Sequence, residues 1–119
     1  MQEELRALIT RHCGTIAGKV ESLSGLVTGV ARGGSHSAEQ IVTAIALAHE
    51  IRGSAGSIGF RDVFKAATAL EDSLKALSRA GGAADETVER MNTLADITLN
   101  LRPESSSLFD ADLSGLARH

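Results

Sequence analysis

The sequence contains no tryptophan and no tyrosine, and three phenylalanines bring aromatics to only 3% of its 119 residues. Its core must therefore be assembled from Leu, Ile, Val and Ala, a supply that favours helices over sheets. Proline occurs once, at Pro103, and alternating β-branched runs are scarce, so the closely spaced turns and strands of a sandwich or barrel are missing. The lone cysteine, Cys13, cannot close an internal disulfide and gives no sign of an oxidising compartment. Basic charge is also in short supply. Twelve Lys and Arg stand against fifteen Asp and Glu, for a net charge of -3, which leaves no broad surface to neutralise phosphates and argues against a nucleic-acid partner. The longest mostly apolar stretch, Ile41 to Ala48, falls far short of the ~20 residues of a membrane span. The first residues, Met1-Gln2-Glu3-Glu4, are acidic where a signal peptide would be basic. These absences together lead us to expect a soluble, cytoplasmic chain with one core and no membrane contact.

What is present is helical periodicity. Leu5, Ile9, Cys13, Ile16, Val20, Leu23, Val27 and Val30 step by three or four, the pattern of one long helix or of two nearly in line. Gly14, Gly18, Gly25 and Gly29 fall on the opposite side. They copy a membrane dimer spacing, but a helix that also bears Arg11, Lys19 and Glu21 cannot span a bilayer. The segment from Ala31 to His36 breaks the pattern, and Ser37 with Gln40 reads as a capping box for a second helix starting near Ala38. That helix carries Ile41, Ala44, Ile45, Ala48, Ile51, Ala55 and Ile58 on one face and runs to about Gly59. A third, from about Asp62 to Arg79, is expected to bury Val63, Phe64, Ala67, Leu70, Leu74 and Leu77 before Gly81-Gly82 stops it. A fourth, with Asp85 as N-cap, turns Val88, Met91, Leu94, Ala95, Thr98 and Leu101 inward and ends by Pro103. The fold expected is an all-α antiparallel four-helix bundle over residues 1–101. Residues 102–119 form a polar tail in which Phe109, Leu113 and Leu116 have the spacing of a short extra docking helix.

Of the four histidines, His49 has surroundings that call for an explanation. On the second helix it lies well away from the apolar face, among Val42, Ala46, Gly53 and Gly56. Glycine in a helix interior costs roughly 1 kcal/mol relative to alanine, so two of them beside one histidine suggest a surface kept open for access. A neutral imidazole is a competent nucleophile toward phosphorus near neutral pH, and the phosphoramidate it forms remains reactive enough to pass the group on. Arg52, three residues along, can reach phosphoryl oxygens with its guanidinium. Its ordinary alternative is a solvated charge or a pair with Glu50 or Asp62. The remaining charge runs, Glu71-Asp72 and Asp85-Glu86, read as solvated faces and helix starts. His12 and Cys13 point about 100° apart on a helix, His36 falls in a loop and His119 at the terminus, so no metal site is expected.

The run from His49 to Gly59 resembles the signature of histidine-containing phosphotransfer (HPt) domains, in which the phosphorylated histidine is followed by an aliphatic residue, a basic residue, glycine, two small residues and a later glycine. Here these positions are His49, Ile51, Arg52, Gly53, Ser54 with Ala55, and Gly59. The resemblance implies a four-helix bundle that relays a phosphoryl group on His49 between receiver aspartates, or from a histidine kinase to a response regulator. Arg52 departs from the family, which usually has Lys there; the charge is kept, but a planar fork replaces a compact ammonium. No cofactor is expected on the chain itself, and Mg²⁺ would come with the receiver partner. No nucleotide-binding loop is present, which fits a monomeric carrier without catalytic turnover of its own. Two other readings use the same surface: a helical adaptor or inhibitor that is never phosphorylated, and a detached phosphoacceptor module of a chemotaxis-type kinase.

Overall fold

A computed structural model of the chain describes residues 2–31, 38–79 and 84–109. Four helices, α1 (Gln2–Ala31), α2 (Ala38–Ile58), α3 (Arg61–Ser78) and α4 (Ala84–Leu99), are followed by a 3₁₀ turn at Pro103–Ser105, and no strand occurs among the described residues. Each helix packs against two others, α1 on α2 and α4, and α3 on α2 and α4, which closes a four-helix bundle. The antiparallel sense of α2 and α3 is visible in their pairings, with His49 opposite Glu71 and Gly56 opposite Phe64. None of the helices is long and apolar enough to cross a membrane.

The core follows the periodicity of the sequence. Ile9, Ile16, Val20, Leu23 and Val27 of α1 are buried, and Leu5 and Cys13 pack at the margin. The α1 glycines Gly14, Gly18, Gly25 and Gly29 face open space. From α2 the core takes Ala44, Ala48, Ile51, Ala55 and Ile58, and Ile45 packs against it. Met91 and Leu94 of α4 are buried in the same cluster.

Three details of the sequence reading are corrected. Phe64 was expected inside but is 38% exposed, and the buried aromatic is Phe60, which lies in the link between α2 and α3. The reason is the way α2 ends. Gly59 adopts φ +85° and the Phe60 amide donates to Ala55 O at 2.9 Å, the geometry of a Schellman motif, in which the residue after the left-handed glycine turns back onto the helix it has just left. Secondly, Asp85 is not the N-cap of α4; the helix has already begun at Ala84 and Asp85 sits in its first turn, where its charge opposes the helix dipole's positive end. Thirdly, α4 ends at Leu99, short of Pro103, because Asn100 and Leu101 bond back three residues and tighten the last turn. The proposed capping box at Ser37, the Gly81-Gly82 stop, and Leu113 and Leu116 of the tail lie outside the described residues.

After α4 the chain crosses the α2–α3 corner. Ser106 Oγ donates to Ile58 O at 2.5 Å and Ser107 N to Gly59 O at 2.9 Å, while Leu108 and Phe109 pack against the core cluster. Arg6 of α1 holds the far end, donating from Nε to Phe109 O at 3.2 Å with its guanidinium 4.6 Å from the centre of that ring.

Candidate functional site

The apolar stripe of α2 turns Ala48, Ile51 and Ala55 into the core, and this leaves His49 on the flank facing α3 with 66% of its side chain exposed. Its Nδ1 lies 3.2 Å from Oε2 of Glu71 on α3. Arg52, one turn along α2, donates from Nη1 to the other oxygen, Oε1, at 3.1 Å. Lys75, one turn along α3, places Nζ 3.0 Å from Oε2. A single carboxylate thus collects three nitrogen donors from two helices. Glu71 is itself only 2% exposed, which overturns its reading as part of a solvated charged face. The neighbouring Asp72 is exposed as expected.

Burial pushes the Glu71 carboxyl upward, but hydrogen bonds from Lys75, Arg52 and His49, with the charge of Lys75, outweigh it and hold the group below the usual carboxylate range. Glu71 is therefore ionised near neutral pH and can only accept hydrogen bonds. The contact with His49 then requires the proton on Nδ1, so Nε2 is the ring nitrogen with the free lone pair. An exposed imidazole held in one tautomer by a carboxylate is a prepared nucleophile.

Arg52 makes neither of the surface pairs, with Glu50 or Asp62, that were its ordinary alternative. Its partner is Glu71, and Glu50 instead faces Lys19 of α1 at 3.5 Å. The guanidinium also lies 5.9 Å from the centre of the Phe64 ring, which gives that exposed aromatic a place in the site. Val42 is 61% exposed and Ala46 is exposed. A Cβ on Gly53 would meet no atom within 4 Å, whereas one on Gly56 would come 3.1 Å from Phe64 Cδ2. The surface beside His49 is thus open at Gly53, and at Gly56 the missing side chain also makes room for a ring. Ile51 and Ala55 of the signature are buried, Ser54 is half-buried, and Gly59 shapes the end of α2.

Two residues of this arrangement, Glu71 and Lys75, were missed in the sequence. A signal was present. Glu71 follows Ala67 by four and precedes Leu74 by three, so it shares the buried face of α3, and an acid on such a face needs partners. Among the described residues no cluster of three His, Cys, Asp or Glu could hold a metal ion.

A family model described as the Hpt domain matches residues 3–118 of the chain. No curated protein matches the chain, and no solved structure matches it.

Proposed function

The chain belongs to the Hpt domain family, and from that premise we propose that it carries a phosphoryl group on Nε2 of His49, passing it between receiver aspartates or from a histidine kinase to a response regulator. The observation that supports this most is the His49–Glu71 pair: the carboxylate fixes the proton on Nδ1 and the exposed ring offers Nε2. In the accepting step the Nε2 lone pair attacks the phosphorus of a receiver acyl phosphate. The N–P bond forms as the bond from phosphorus to the aspartyl oxygen breaks, and the electron pair departs with the carboxylate. The ring gains positive charge, which Glu71 offsets through the retained Nδ1 proton. Donation is the same step reversed onto a second aspartate.

Arg52 stands between the buried carboxylate and solvent, 38% exposed, with guanidinium donors beyond the one used on Glu71. In this reading those donors meet the phosphoryl oxygens. Val42, Ala46 and Gly53 provide a low, largely apolar approach for the receiver, which brings the acidic pocket and its Mg²⁺. The chain then works as a monomeric cytoplasmic carrier that turns nothing over by itself.

Incubation with a phosphorylated receiver domain tests the proposal. The label should appear on the chain, be acid-labile and base-stable, show phosphorus coupling to Nε2 by NMR, and vanish in His49→Ala. A chain that binds the receiver but never takes up label would be an adaptor. Uptake only from a separate ATP-binding kinase domain would point instead to the chemotaxis-type module.

A further inference from the structure

Glu71 carries one negative charge, yet it is the ion-pair partner of two permanent cations, Arg52 at 3.1 Å and Lys75 at 3.0 Å. Arg52 alone would balance it. With His49 neutral, the cluster therefore holds one positive charge in surplus, immediately beside an exposed imidazole. The arrangement of the two cations differs. Arg52 has Oε1 to itself, whereas Lys75 shares Oε2 with His49 Nδ1, so the ammonium and the imidazole are neighbours across one oxygen atom. The Lys75 side chain is 46% exposed, and its flexible stem carries a compact charge that can change partners at little cost.

We propose that Lys75 is a second phosphoryl-binding cation, held in reserve on Glu71 until His49 is phosphorylated and then donating to a phosphoryl oxygen. This rests on His49 being the acceptor. The incoming group brings close to two negative charges, which the surplus charge and the positive charge gained by the ring together offset, and it outcompetes a carboxylate already shared by three donors. When Lys75 leaves, Oε2 is free to accept from Nδ1–H alone, at the moment the ring carries most charge. Lys75 would thus stabilise the phosphorylated chain twice, by direct contact and by releasing Glu71 to the imidazole. A plain i, i+4 surface pair would do neither, contributing only weakly to the helix.

The test measures the position of the phosphoryl equilibrium between a receiver and the chain for wild type, Lys75→Gln and Lys75→Arg, with folding followed by circular dichroism. Each protein is first treated with phosphoramidate, a small donor that needs no docking. Lys75→Gln should move the equilibrium toward the receiver by about tenfold, the loss of one charge-assisted contact, and Lys75→Arg should stay within about threefold of wild type. The Nζ resonance of Lys75 should also move on phosphorylation of the wild-type chain as the ammonium changes partner. An equilibrium for Lys75→Gln within twofold of wild type, with the Lys75 Nζ resonance unmoved by phosphorylation, overturns the inference while leaving His49 as acceptor. Failure of His49 in the wild type to take label from either phosphoramidate or a phosphorylated receiver removes the acceptor reading itself.

Discussion

Glu71 ties the chemistry of the site to the stability of the fold, because a carboxylate that is 2% exposed depends on the donors that reach it from α2 and α3. Its pKa is held below the usual range in the folded chain. A carboxyl of this kind contributes stability in full above its unfolded pKa and loses it as pH falls through the lower folded value. Glu71→Gln keeps the shape and removes the charge, so at neutral pH it should cost roughly 1–3 kcal/mol in urea unfolding. The gap to wild type should close as pH falls below the usual carboxylate range. A gap that stays constant down to acid unfolding would show that the ionised pairs do not carry the contribution. Sequence spacing placed His49 and Arg52 together because they lie on one helix, one turn apart. The spacing of Glu71 puts an acid on the buried face of α3 and so asks for partners, but it could not say which ones, since the register of α3 against α2 is a tertiary fact.

At the scale of the helix, α2 uses glycine for three separate physical reasons. Gly53 leaves open surface beside the imidazole, Gly56 makes room for the Phe64 ring, and Gly59 takes the left-handed conformation that ends the helix. Substitutions should separate them. Gly53→Leu has space and gains helix propensity, so stability should hold or rise by up to about 0.8 kcal/mol, while transfer from a receiver should slow by roughly a hundredfold or more as the approach is obstructed. Normal transfer by this variant would show that Gly53 is not an access position. Gly59→Ala must adopt φ +85° and would place Cβ 2.6 Å from Ser107 Oγ. It should cost roughly 1–3 kcal/mol in chemical denaturation, and an unchanged midpoint would contradict the motif assigned to this corner. Periodicity made the buried faces of α1 and α2 legible, but it put Phe64 inside because it counts only turns of one helix. The burial of Phe60 is set by the reversal at Gly59 and by the chain segment that crosses it.

In the proposed reading the whole molecule is a support for one nitrogen, Nε2 of His49. Four helices bury an aliphatic core, the segment through Ser106 and Phe109 straps the α2–α3 corner, and His49 stands on the outer surface between two of the helices. Fold class was readable because bundle periodicity is written along single helices, and the spacing from His49 to Gly59 is what singles out His49 as the candidate acceptor. The charge cluster that prepares the histidine was not, because it is assembled across helices. A carrier, as distinct from a phosphatase or an adaptor, must give back what it takes. The most direct measurement is therefore a pulse and chase: a limiting amount of labelled phospho-receiver is mixed with the chain, and an excess of unlabelled receiver follows. Label should move to the chain as the first receiver loses it, mole for mole, and then leave the chain for the second receiver on the same time scale. Label released from the receiver directly to water as inorganic phosphate, with none passing through His49, would contradict the account.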